Sequence, residues 1–299
     1  MSTYSVEDKV ALVTGGARGI GFETAKALSA RGARVAVVDL DPQATAKAVT
    51  ALREGSIGIA ADVTDAAAMR DVVAQVVERL GRLDVVVANA GIAPRARTVR
   101  ALDTADFERV LNVNVFGVYR TVQPALAHVI ANGGHVVVIS SIYAFLNGAL
   151  LAPYAISKAA VEQFGRALRI ELAQHRATAG VVYFGVIDTA MVREASADPI
   201  ATRFEATVPR FLKKRLHPSL AAAGIVDGIE RRAARTFVPK RWGAYSLLRG
   251  LLNPVLDRRT ERNATIQGIV LDADLTPELD VGHLRSGTDT NLDDLQSSQ

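Results

Sequence analysis

The sequence predicts an α/β protein built on a doubly wound parallel sheet with helices on both faces. Three observations lead there. Short apolar runs alternate with amphipathic stretches from residue 9 to residue 239. A glycine-rich turn joins the first run to the first amphipathic stretch. The small or polar clusters that stand out each follow an apolar run, where a parallel sheet places its ligands. With 299 residues, 49% apolar and 22% charged, the chain can bury one large core and still carry an appendage.

Lys9-Val-Ala-Leu-Val-Thr14 reads as the first buried strand. It enters Gly15-Gly16-Ala17-Arg18-Gly19-Ile20-Gly21 and then a helical pattern from Phe22 to Arg31. Strand, glycine turn and helix together let backbone approach a pyrophosphate and aim a helix N-terminus at it. A turn needed only for packing would show the same glycines, and Gly15, Gly19 and Gly21 are spaced more widely at the front than the common pattern. The second strand, Arg34-Val-Ala-Val-Val-Asp39, ends in an acid about 20 residues past the glycines, where a ribose-binding carboxylate is expected. Asp39 would accept hydrogen bonds from both adenosine hydroxyls and repel a 2′-phosphate, and Leu40 after it offers that phosphate no cation. Arg18 pulls the other way, since it could reach a 2′-phosphate. A carboxylate inside the pocket outweighs a flexible arginine at its rim, so NAD(H) is the expected cofactor and NADP(H) the alternative.

Ser56 to Ala60 reads as a third strand leading to Asp62-Val63, and Ala66 to Leu80 as an amphipathic helix. Asp84 to Ala88 is a fourth strand, followed by the small residues Asn89-Ala90-Gly91. Phe107 to Ile130 reads as one long helix containing Asn112 and Asn114. His135 to Ile139 is a fifth strand ending at Ser140-Ser141, Thr178 to Val186 a sixth, and Arg235 to Pro239 a short last one. Between the fifth and sixth lies Pro153-Tyr154-Ala155-Ile156-Ser157-Lys158. A tyrosine and a lysine four residues apart share a helix face, and Pro153 suits the first turn. An ammonium near the phenol would lower the Tyr154 pKa from about 10, giving a proton donor and acceptor usable near neutral pH. A solvated surface pair would look the same in isolation.

Several functions are excluded or disfavoured. There is no cysteine, hence no disulfide, thiolate metal site or thiol nucleophile, and the 5 histidines show no metal-ligand spacing, so no metal is expected. Thr121 to Ser157 contains no Lys, Arg, Asp or Glu, but Pro124, Asn132-Gly133-Gly134 and Asn147-Gly148 break it, so helix, strand and loop fit better than a bilayer span. Met1 to Asp8 is short and polar, unlike a signal peptide. Residues 193–262 hold 15 Lys/Arg against 7 Asp/Glu, and residues 272–299 hold 7 acids against one Arg. No nucleic-acid motif accompanies the basic stretch, and no nucleic-acid partner is expected.

Taken together, Thr14-Gly-Gly-Ala-Arg-Gly-Ile-Gly21, Asp62-Val63, Asn89-Ala-Gly91, Asn114, Ser141 and Tyr154-x-x-x-Lys158 resemble the short-chain dehydrogenases/reductases over roughly residues 9–191. The Ser141-to-Tyr154 interval also matches. The resemblance implies a Rossmann-type fold and an NAD(P)-dependent enzyme acting on a small-molecule secondary alcohol or ketone. It implies Tyr154 as general acid/base and Ser141 as the hydrogen-bond donor that steadies the developing oxyanion. Lys158 would hold the nicotinamide ribose and lower the tyrosine pKa, and Asn114 would keep a water that continues the proton path. Gly185, Ile187 and Thr189 would meet the carboxamide end, but Phe184 stands where the family commonly has proline, so it could line the substrate pocket or simply pack. A nucleotide-sugar epimerase and a cofactor-sensing binding protein are the rival readings.

Residues 1–239 are then the catalytic domain, with substrate-covering helices at about 190–232 and Ser219 as N-cap of the last. Residues 240–271 form an amphipathic extension in which Trp242, Tyr245, Leu248, Leu251 and Leu252 lie beside Lys240, Arg241 and Arg249. That segment could lie on a membrane surface, which would suit a lipophilic substrate, or pack on its own domain or across a dimer. Residues 272–299 read as a disordered acidic tail. A cytoplasmic homodimer or homotetramer, peripheral to a membrane if the extension docks there, is the remaining expectation.

Overall fold

Seven parallel strands form the sheet in this computed structural model, which describes residues 4–209 and 212–275. They are β1 (Val10–Thr14), β2 (Arg34–Asp39), β3 (Ile57–Ala60), β4 (Val85–Ala88), β5 (His135–Ser141), β6 (Thr178–Phe184) and β7 (Arg235–Val238). Their order is β3-β2-β1-β4-β5-β6-β7. Within β1, Val10 and Leu12 face one core, and Ala11 and Val13 face the other. Strands buried on both faces need continuous apolar runs, so β1, β4 and β5 show no polar alternation.

The strand order reverses between β1 and β4, so the loops after them part and leave a crevice. Asn89, just past β4, ties its floor together. Its amide N–H donates to Thr14 Oγ1 at 3.1 Å, and its side chain donates to the Thr14 and Gly15 carbonyls at 2.9 and 3.2 Å.

Helices cover the sheet. Those on the first half are α1 (Gly19–Ala30), α2 (Pro42–Val49) and α3 (Ala66–Leu80). The sequence reading has no helix at α2. Asp41 caps it by accepting from the Gln43 and Ala44 amides at 2.9 and 3.0 Å, and Pro42 fills its first turn.

The long helix expected over 107–130 is interrupted. It runs as α4 (Thr104–Leu111), a π-helical turn (Asn112–Phe116), α5 (Gly117–Val122), a 3-10 turn (Gln123–Ala125) and α6 (Leu126–Ala131). Pro124 has no N–H for an α-helical bond, which accounts for the 3-10 turn. The π turn carries Asn114, wholly buried, to the floor of the crevice.

α7 (Ala152–Glu171) presents Tyr154 and Lys158. The cover is made of α8 (Ala190–Ser196), α9 (Pro199–Thr207) and α10 (Pro218–Glu230). α10 begins two residues earlier than expected: its N-cap is His217, not Ser219, and His217 Nδ1 accepts from the Ser219 amide at 3.2 Å, because Pro218 fits the first helical position. The extension forms α11 (Arg241–Glu261) and α12 (Ala264–Leu275). The boundary placed at residue 272 therefore falls inside α12, where Ile269 and Ala273 are buried in an apolar cluster with Ile200 of α9. The expected disorder of 276–299 lies outside the described residues.

Candidate active site

Gly15 and Gly19 take positive φ angles of +61° and +56°, conformations that favour glycine. A β-carbon on Gly21 would stand 2.0 Å from the Gly15 carbonyl oxygen, so close packing of turn on helix requires glycine there. Asp39 closes the turn from β2: Oδ2 accepts from the Ala17 amide at 3.1 Å, and Oδ1 from the Leu40 amide at 2.9 Å. Above these residues opens a cleft of about 1330 Å³.

The cleft brings together almost all the residues singled out by sequence. Gly15, Arg18, Gly19, Ile20, Asp39, Leu40, Asp62, Val63, Asn89, Ala90 and Gly91 line one end, and Ser141, Tyr154, Lys158, Gly185, Ile187 and Thr189 the other wall. Ala17, Gly21 and Asn114 lie behind this lining and hold it. Asp62 accepts from the Thr64 amide at 2.8 Å, which turns the chain into α3. Thr189 caps α8 and comes within 3.6 Å of the side-chain position that Gly19 leaves empty. Phe184 is buried, and it both packs in the core and lines the cleft.

The chemistry of the wall is set by burial. Lys158 is 5% exposed, and its Nζ donates to the Ile139 carbonyl at 3.1 Å. Desolvation pulls its pKa down to about 8. Tyr154 was expected to have a lowered pKa; instead, desolvation of its phenol pushes it up to about 12, against the opposing hydrogen bond from Ser141. The lysine does not prevail because its Nζ lies 5.5 Å from the centre of the tyrosine ring and is engaged with a backbone carbonyl. Tyr143 packs edge-on against Tyr154 at 5.9 Å.

Asn114 braces the wall from behind. Oδ1 accepts from the Ile92 amide at 2.8 Å, and Nδ2 donates to the Ile92 carbonyl at 2.9 Å and to Ser157 Oγ at 3.0 Å. Ser157 Oγ in turn donates to the Tyr154 carbonyl at 2.7 Å, and Ser140 Oγ to the Lys158 carbonyl at 2.8 Å. Both N–H bonds of the Asn114 side chain thus go to protein atoms. A β-carbon on Gly91 would come within 3.2 Å of Asn114 Oδ1 and 3.6 Å of Lys158 Nζ, so Gly91 leaves room for both.

At the substrate end, sequence reading missed a buried ion pair. Arg97 Nη1 meets Asp198 Oδ2 at 3.2 Å with side chains 6% and 13% exposed, joining the loop after β4 to the cap of α9. Thr98 bonds Asp274, Arg100 lies 3.6 Å from Asp274, and Arg203 meets Asp272 at 2.6 Å, so α12 is tied to both. The pair is 101 residues apart in sequence and has no local signature.

These residues suit a dinucleotide. Bare backbone amides at the N-terminus of α1 offer donors for a pyrophosphate, and Asp39 offers a carboxylate for a ribose. The comparisons agree. A family model described as short chain dehydrogenase matches residues 9–200. L-fucose dehydrogenase of Bos taurus is 33% identical over 221 residues, 73% of this chain and 82% of that protein. 2,3-dihydro-2,3-dihydroxybenzoate dehydrogenase of Bacillus subtilis is 32% identical over 202 residues, 66% of this chain and 77% of that one. The structure of 3-ketoacyl-(acyl-carrier-protein) reductase from Brucella melitensis, complexed with NADH, aligns with a TM-score of 0.68 at 26% identity over 78% of this chain and 98% of that one.

The protein is thus a Rossmann-type, nicotinamide-dependent oxidoreductase acting on CH–OH groups. The chain belongs to the short-chain dehydrogenase family.

Proposed function

We propose that this enzyme is NAD(H)-dependent and interconverts a lipophilic secondary alcohol and its ketone, with Ser141, Tyr154 and Lys158 as its catalytic residues. The nicotinamide, when bound, accepts or supplies the hydride. Tyr154 carries the proton. As a neutral phenol it donates to the carbonyl oxygen in reduction, and as phenolate it takes the hydroxyl proton in oxidation. Ser141 donates a hydrogen bond to the same oxygen and steadies the charge that develops on it. Lys158 would hold the ribose beside the nicotinamide, and a positive charge there favours the phenolate. Asn114 keeps Ile92 and Ser157 in place and so positions this set.

The observation that carries this reading is the sharing of one cleft by the glycine turn, Asp39, Ser141, Tyr154 and Lys158. Asp39 supports NAD(H) over NADP(H), because its carboxylate is fixed by two backbone amides at the end of β2 and would repel a 2′-phosphate. Fluorescence titration with NADH and NADPH tests it. Tighter NADH binding is expected, followed by NADH formation with members of a secondary-alcohol panel. Tighter NADPH binding would make Arg18 the selector, and binding of a cofactor without turnover of any alcohol would favour a sensing protein.

A further inference from the structure

The outer face of α11 is the surface that the reaction leaves unused. Its inner face fixes the helix in one rotational setting. Trp242 and Ser246 are buried, and the Arg249 guanidinium meets both Glu162 carboxylate oxygens on α7 at 3.0 Å. Asn253 donates to the Phe145 carbonyl at 2.7 Å, and Asp257 accepts from Asn147 at 3.2 Å. At about 100° per residue, this setting turns Ala244, Leu247, Leu248, Leu251 and Val255 away from the protein. Leu247, Leu251 and Val255 are 80%, 75% and 53% exposed.

Cations bracket this apolar row. Lys240 and Arg241 stand exposed at one end, and Arg258, Arg259 and Arg262 at the other, where the exposed Glu261 lies about 100° round from the row and leaves that end net positive. The charge pattern selects the occupant. A second copy apposed through the same face in antiparallel order would set Arg241 of one helix against Arg258 and Arg262 of the other. Parallel order would set like ends together. Either arrangement opposes cations to cations, whereas a sheet of anionic headgroups complements both ends at once. No helix among the described residues is long and apolar enough to cross a bilayer, so the contact is one of surface docking.

We propose that the outer face of α11 docks this protein on a bilayer surface carrying anionic lipids. The leucines enter the boundary between headgroups and acyl chains, and the flanking arginines meet headgroup phosphates. α11 runs on into α12, which packs against α9 in the substrate cover, so the docked segment is continuous with the cover. The proposal is independent of which cofactor or alcohol the cleft takes.

Flotation of the full chain with vesicles tests it. The chain should float with vesicles of mixed phosphatidylcholine and phosphatidylglycerol, and much less with phosphatidylcholine alone. The double variant Leu247→Ser/Leu251→Ser should lose about tenfold or more in partitioning. Arg258→Glu/Arg262→Glu should lose binding to the anionic vesicles selectively. Unaltered NADH binding and light-scattering mass in both variants show that fold and assembly persist. Absence of flotation with the anionic vesicles, or equal flotation of the leucine variant, would overturn the proposal. A fall in oligomeric mass on removing the leucines would also overturn it, by making the face a contact between copies.

Discussion

Tyr154 and Lys158 lie on one helical face, as their spacing dictates, but the spacing does not report where the ammonium points. Lys158 Nζ is bonded to the Ile139 carbonyl, and burial of the phenol outweighs its hydrogen bond with Ser141. In the cofactor-free protein, Tyr154 is therefore a neutral phenol near pH 7, the form that donates a proton to a ketone. Asp39 was legible from its place at the end of β2, and its geometry adds a consequence. Because the carboxylate would accept from the ribose hydroxyls of NADH and repel the 2′-phosphate of NADPH, Asp39→Ala should weaken NADH by about tenfold while leaving NADPH much less affected. Paired titrations check this; an unchanged NADH-to-NADPH ratio would move selection to Arg18.

Among the elements, strands were legible because burial on both faces leaves continuous apolar runs, and α7 because Pro153 and the Tyr–Lys spacing mark it. The π turn at Asn112–Phe116 was not, since no residue type signals it; only the fold shows that Asn114 must turn inward to reach Ile92 and Ser157. Nor was α12 as a clamp, because its ties to Thr98, Arg100 and Arg203 join distant segments. The Arg97–Asp198 pair belongs to this clamp. Arg97→Met should raise the KM for the alcohol by about tenfold or more through a displaced cover, with NADH affinity essentially unchanged. Steady-state kinetics and an NADH titration separate these. An equal loss of NADH affinity would show that the pair supports the whole cleft.

For the whole molecule, the sheet also carries a pH response remote from the cleft. His135, buried in β5 with Nδ1 2.7 Å from Thr178 Oγ1, has its pKa pulled down to about 3 by burial and by Arg232 and Arg169. Unfolded, it binds a proton near its ordinary 6.5. Between those values the unfolded chain binds more protons, so stability falls as pH falls, by up to about 1.4 kcal/mol per pH unit. Thermal unfolding from pH 7 to pH 4 should show this loss, and His135→Gln should flatten it relative to the unaltered chain; identical slopes would assign the acid sensitivity elsewhere.

The proposed chemistry needs Tyr154 as the proton carrier in a cleft suited to a dinucleotide. The most direct test is turnover of Tyr154→Phe, with NADH affinity measured on the same preparation. Turnover should fall by about a thousandfold or more while NADH affinity stays essentially unchanged. A variant that binds NADH normally and keeps more than a few per cent of its activity would contradict the account.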